Sequence, residues 1–189
     1  MLDEPRVQAT PLDEESVRRI VREEIERAMK RDPAARKACI IASKGTLDWA
    51  YPPFILSAAA AAAGMDASVF FTFYGLSLIT KDYARRAKVS PTGNPAMPMP
   101  VPVADVFAGM PGMKAVATSM MRAMFRRKNV ASIGELIDAA RDAGVRLVAC
   151  QMTMDVFGYR PSDFIEGVEF GGAAAFLNEA RRAHVTLFI

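Results

Sequence analysis

At 189 residues, 51% of them hydrophobic, the chain is long enough to bury a core without help from disulfides or metals. A net charge of +3, with no basic patch interleaved with aromatic residues, argues against a nucleic-acid platform. Two cysteines far apart in the chain and a single histidine do not make a secreted disulfide framework. The N-terminus is charged from Asp3, Glu4 and Arg6 onward and lacks the apolar core of a secretory signal. The longest apolar run, Phe54 to Met65, is interrupted by Ser57 and is too short to span a bilayer. A cytoplasmic location is expected, since free thiols persist in a reducing compartment.

Residues 1–36 read as an N-terminal helical extension. Val17, Ile20, Val21, Ile25 and Met29 recur at helical spacing, acidic residues lead, basic ones follow, and Pro33 would end the helix. Its narrow apolar stripe must pack on the domain or on a neighbouring subunit. The main domain, 37–189, then alternates strand and helix. The run Ala38 to Ser43 is a buried strand, and Pro52 to Ala63 an alanine-rich helix with the two prolines in its first turn and Gly64 past its end. Ala67 to Tyr74 is a second strand, and Gly75 to Thr80 a helical piece. Residues 85–130 form a Met/Pro-rich insert: five prolines fall between Lys88 and Pro102, and a helix follows from about Lys114 to Arg127. Seven of the twelve methionines lie between Met97 and Met124. An insert of this length serves as a lid, a binding loop or an oligomer contact, and a further strand is expected near residues 101–107. Glu135 to Ala143 is a helix stopped by Gly144, Val145 to Cys150 a strand, Gly171 to Ala183 a helix and His184 to Ile189 a last strand. This alternation implies an α/β fold with a parallel sheet covered on both faces.

Cys150 closes its strand, and reactive groups in open parallel sheets gather at the carboxyl ends of strands. Backbone N–H groups after it would favour a thiolate; the alternative is that a free cysteine merely packs. Cys39 lies near the start of the first strand, toward the other edge, so no disulfide with Cys150 is expected. His184 opens the last strand, again at the far edge, which argues against a Cys–His nucleophilic pair and, with the cysteines scattered, against a zinc site. Ser43-Lys44-Gly45-Thr46 resembles the tail of a phosphate loop but lacks its leading glycine. Thr46 or Asp48 reads as a helix cap, or Lys44 and Asp48 as pocket lining. The pocket expected around Cys150 gathers Lys44, Gly45, Asp48, Tyr74, Gly75, Gln151, Met152 and Asp155. Asp155 alternatively caps backbone N–H groups, and as a carboxylate it would raise a thiol's pKa. The methionines are either soft copper ligands or an adaptable apolar surface, and Arg126 to Lys128 are a solvated helix end. No metal or other cofactor is expected.

The stretches KACIIASKGTLDWAYPPFILSAAAAAAGMDASVFFTFYGL and GVRLVACQMTMDVFGYRPSDFIEGVEFGGAAAFLNEARRAHVTLFI, with GMPGMKAVATSMM between them, resemble the DsrE/DsrF-like (DsrEFH) sulfur-relay family in its longer, peroxiredoxin-labelled branch. The resemblance covers roughly residues 37–189 and is most specific around ACQMTMDVFG. It implies a three-layer α/β/α fold with a mostly parallel five-stranded sheet and homo-oligomers, trimers or larger. It also implies a reactive cysteine at Cys150 that accepts sulfane sulfur as a persulfide and passes it to a TusA-like or rhodanese-like partner. No CxxC and no PxxxTxxC stands here, so a thiol peroxidase is not supported. Three functions remain in view: a sulfur carrier or sulfurtransferase, a non-catalytic small-ligand-binding or assembly module, and a protein in peripheral contact with a membrane surface through the Met-rich segment.

Overall fold

In the computed structural model residues 14–29, 36–90 and 112–189 are described, and the chain divides into two units, Met1–Ala35 and Arg36–Ile189. The strand expected near 101–107, the end of the first helix at Pro33 and most of the proline run lie outside the described residues. In the first unit, helix α1 (Glu14–Met29) has the acidic start and helical spacing of apolar residues that the sequence suggests.

The second unit holds strands β1 (Lys37–Ala42), β2 (Asp66–Phe71), β3 (Arg146–Cys150), β4 (Val168–Gly171) and β5 (Val185–Phe188). They form one five-stranded sheet in the order β4-β3-β2-β1-β5, with every adjacent pair parallel. Its helices are α2 (Leu47–Ala62), α3 (Tyr83–Arg86), α4 (Met113–Arg127), α5 (Ile133–Asp142), α6 (Gln151–Phe157) and α7 (Ala173–Ala180), with a 3₁₀ turn over Phe73–Ile79. Among the described residues no helix is long and apolar enough to cross a membrane.

Strands β1, β2 and β3 read as largely apolar runs because they lie inside the sheet and are mostly buried. Ile40 and Ala42 of β1, Val69 and Phe71 of β2, and Leu147 and Ala149 of β3 form one buried cluster with Phe54 of α2 and Ile137 of α5. The Phe54 and Phe71 rings lie 5.7 Å apart. Alternate residues face the other way, where Phe70 of β2 meets Phe176 of α7 at 5.1 Å. Arg146 on that same side ties strand, edge and helix together: it binds Glu169 of β4 and Glu179 of α7, each at 2.8 Å. Helix α5 opens on a capping box, the Ser132 N–H donating to the Glu135 carboxylate and the Glu135 N–H to the Ser132 hydroxyl.

Three elements differ from the sequence reading. Helix α2 begins at Leu47, a full turn before Pro52, so both prolines stand inside it. Thr46 is extended at the N-cap and Asp48 lies in the first turn. The prolines therefore leave the carbonyls of Asp48 and Trp49 without their usual helical donors, a loss most easily borne close to a helix start. The second strand stops at Phe71, and residues 73–79 curl into the 3₁₀ turn, with Phe73 at φ 47°. Finally, β4 was not expected, and the helix placed over 171–183 is confined to 173–180. Four residues at a sheet edge are too short to show a distinct period.

Phe54 is fully buried at the centre of the larger core. Phe54→Ala is expected to cost about 3–5 kcal/mol through lost transfer energy and the cavity left behind, read as a lowered urea midpoint with an unchanged slope.

Candidate functional site

Cys150 is both the last residue of β3 and the N-cap of α6, with extended backbone angles (φ −70°, ψ 112°). The strand delivers the sulfur to the carboxyl end of the sheet, and the helix that starts there aims its first N–H groups back toward it. The residue is 3% exposed, yet its surroundings are polar. The Thr72 and Thr153 hydroxyls lie 3.2 Å from each other, and the Phe73 N–H donates to the Thr153 oxygen at 3.2 Å. Burial opposes ionisation of the thiol. The Thr153 and Thr72 hydroxyls and the N–H groups of Thr153 and Met152 outweigh that cost and hold Cys150 below the ordinary thiol range. No side-chain capping bond of normal geometry forms at this helix start, so these groups act as oriented dipoles around the sulfur.

Thr153 stands at the third helical position, the place from which a capping-box side chain reaches back to the N-cap. The spacing Cys-x-x-Thr was the signal for it in the sequence. Thr72 carried no such signal, because it meets Thr153 only through strand pairing.

The other cysteine behaves differently. Cys39 is fully buried on β1, accepts a weak hydrogen bond from the Ser68 hydroxyl at 3.5 Å, and is pushed up in pKa by burial. Register pairs Cys39 with Ser68 and Ser68 with Arg146, so Cys39 lies level with a residue four positions before Cys150 and two strands across. That is a separation of roughly 13 Å along the strands alone, beyond the reach of a disulfide. Both cysteines are free. His184 accepts the Lys37 N–H at 3.3 Å at the start of β1, the opposite end of the sheet from Cys150. Among the described residues no group of three His, Cys, Asp or Glu side chains could hold a metal.

The remaining expected residues divide into two groups. Lys44, Gly45 and Tyr74 line a cleft of about 850 Å³ at the carboxyl edge, together with Trp49, Phe157 and Tyr159. Asp48 sits behind it, its carboxylate accepting the Ser90 N–H at 2.9 Å. Gly75 is buried beneath it. A Cβ at Gly75 would run into the Ala42 carbonyl, and one at Gly45 into the Tyr74 carbonyl, so the loops after β1 and β2 meet this closely only as glycines. Gln151, Met152 and Asp155 are exposed on α6 and do not line the cleft. The Met152 backbone, not its side chain, faces the chemistry. Cys150 itself is not among the cleft's lining residues. The Tyr74 and Phe157 rings, stacked with centroids 5.8 Å apart, form the cleft wall on elements that also carry Thr72 and Cys150. Trp49, Phe157 and Tyr159 were not foreseen as lining residues, since an isolated aromatic in a sequence reads as core.

A parallel α/β domain with a buried cysteine, its sulfur surrounded by hydrogen-bond donors, at the carboxyl end of an internal strand is the class that this architecture defines. The chain belongs to the DsrE/DsrF/DrsH-like family, whose sequence profile matches residues 34–188. It is 48% identical over 158 residues to the sulfur carrier protein DsrE2 of Allochromatium vinosum, covering 82% of this chain and 98% of that protein. It is 28% identical over 161 residues to the Bacillus subtilis protein YrkE, covering 82% of this chain and 97% of that one. The crystal structure of the ychN protein from E. coli aligns with a TM-score of 0.48 at 12% identity, over 82% of this chain and 99% of that chain.

Because the native pKa of Cys150 lies below that of a free thiol, the stabilisation gained from ionising it is present above the unfolded-state value and is lost as pH falls through the native one. Thr153→Val removes one hydroxyl dipole and is expected to move the titration of Cys150 upward. Thiolate ultraviolet absorbance of a Cys39→Ala background would then appear at higher pH, with the two proteins coinciding once both thiols are fully ionised.

Proposed function

We propose that the chain is a sulfur carrier that holds sulfane sulfur as a persulfide on Cys150. The observation that carries this reading is the set of donors around that sulfur: two hydroxyls and two backbone N–H groups, which favour an anion without any histidine base. The name of the Allochromatium relative, with which 82% of this chain aligns, supports the same role.

The chemistry needs little else. The Cys150 thiolate attacks the outer sulfur of a hydropersulfide R–S–S–H; the new Sγ–S bond forms as the donor's S–S bond breaks, and R–S⁻ leaves with the electron pair. An acceptor thiolate then attacks the outer sulfur of the Cys150 persulfide and returns Cys150 as the thiolate. Sulfur moves with no net oxidation, and the second step goes fastest when Cys150 is a good leaving group, which a lowered pKa makes it. Donor and acceptor are protein partners, TusA-like or rhodanese-like, and a reducing cytoplasm suits both free thiols.

The sulfur is covered, so exchange requires its neighbours to part. Phe73, next to Thr72, holds a left-handed conformation that costs of order 1–3 kcal/mol for a residue with a side chain. It is anchored by its N–H to Thr153. Its release would relieve strain and move Thr72 away from the sulfur in one step. Exposed Phe188 on β5 and Leu177 on α7, apolar surface of the kind that subunits cover, support a homo-oligomer without fixing its subunit number. In this reading residues 1–36 are an extension apart from the carrier domain.

The test is intact-mass spectrometry after polysulfide treatment. The native protein and Cys39→Ala are expected to gain one sulfur atom, removable by reductant, and Cys150→Ala none. An adduct that persists in Cys150→Ala, or one missing from the native protein, rejects the assignment.

A further inference from the structure

The cleft beside the Tyr74–Phe157 stack is not needed for single-cysteine sulfur exchange, and its chemistry is distinct. Among the described residues its one charged lining residue is Lys44, whose Nζ lies 3.2 Å from the centroid of the Trp49 ring. An indole face fixes an ammonium by its quadrupole but does not neutralise it. Among the described residues no carboxylate pairs with Lys44, and no acidic side chain lines the cleft. The nearest candidate by sequence, Asp48, is engaged by the Ser90 N–H. The other walls are the rings of Trp49, Tyr74, Phe157 and Tyr159, and Gly45, packed closely on the Tyr74 carbonyl, also lines it. The Ser77 hydroxyl gives its proton to the Tyr74 carbonyl at 2.8 Å, so it too is held in place.

From this we infer that the cleft is a binding site for a small organic anion with a flat ring, whose carboxylate, sulfonate or phosphate pairs with Lys44 while the ring packs among the aromatic walls. Each feature points the same way. A cation held against a ring, with no carboxylate partner among the described residues, offers a partner for a negative charge at little entropic cost. Four aromatic side chains around one opening offer ring-stacking surface, with offset or edge contacts at the usual separations. A volume of about 850 Å³ is within the range of small-molecule sites and far larger than an inorganic ion requires. Nothing in this argument uses the Cys150 sulfur, so the site stands or falls independently of the carrier role.

Trp49 is the chain's single tryptophan, so its fluorescence reports on the cleft alone. The full-length protein is titrated with benzenesulfonate, with adenosine monophosphate, with neutral benzyl alcohol and with sodium sulfate. A saturable change in Trp49 emission is expected with at least one of the two ring-bearing anions, and both benzyl alcohol and sulfate should bind at least about tenfold more weakly, since each supplies half of the recognition. Lys44→Gln should weaken the ring-bearing anion by about tenfold or more, the loss expected for a charge-assisted hydrogen bond, and Lys44→Arg should retain most of the affinity. Circular dichroism confirms that both variants fold. Which of the two anions binds tighter separates a simple aryl acid from a nucleotide as the source of that chemistry. No saturable change with either anion, equal binding of benzyl alcohol, or an unchanged affinity in folded Lys44→Gln would overturn the inference. Persulfide loading of Cys150 plays no part in the readout, so its failure would leave this result untouched, and the reverse.

Discussion

The balance between burial and dipoles at one sulfur atom governs this molecule. Removing a thiol from water favours the neutral form, and a cysteine sealed among hydrocarbon would be inert. At Cys150 the cost is met by groups whose own positions are fixed elsewhere. Two N–H groups are unsatisfied by the helix because they belong to its first turn, and two threonine hydroxyls are brought together by the pairing of β2 with β3. The strand supplies the burial and the helix supplies the compensation, so the joint between them is where ionised sulfur is tolerated. Cys39, one strand beyond β2 and near the other end of the sheet, has burial and a single weak donor, and its pKa moves the opposite way.

The same edge of the sheet carries two sites of different character. Around Cys150 the groups are small, neutral and inward-facing, suited to one sulfur atom. The cleft between the loops after β1 and β2 and the end of α6 is wide, aromatic and cationic. They share elements: the segment from Thr72 to Tyr74 contributes a hydroxyl to one and a ring to the other, and α6 begins at the sulfur and ends at Phe157. Any motion of Phe73 that uncovers the sulfur also shifts the Tyr74 wall. Far from both, the Arg146 bridge to Glu169 and Glu179 and the Lys37 bridge to Asp66 secure the amino end of the sheet.

Much of the architecture was legible in the residues. Continuous apolar runs such as CIIA and SVFF mark strands buried on both faces, Ser132 and Glu135 mark a helix start, and Gly64 and Gly144 mark helix ends. The misreadings have local causes. Pro52 and Pro53 were given the first turn they prefer, although Leu47 to Tyr51 can form a helical turn ahead of them. The edge strand at 168–171 is not visible in the sequence, because four residues carry too little pattern. The end of the second strand at Phe71 goes with a left-handed Phe73, which no propensity favours and whose N–H is held by Thr153 across the chain.

What the sequence determined by itself was the class of fold, the isolation of Cys150 from Cys39 and His184, and the placing of that thiol at the carboxyl end of a strand; these follow from periodicity and chain order, which are local. The tertiary structure decided which groups face the sulfur and which residues share the neighbouring cleft. Thr72 reaches Thr153 across 81 positions of chain, and Lys44, Trp49, Tyr74, Phe157 and Tyr159 converge from three separate crossings. Such meetings depend on strand order, register and two glycine contacts, none of which is encoded in any short stretch of residues.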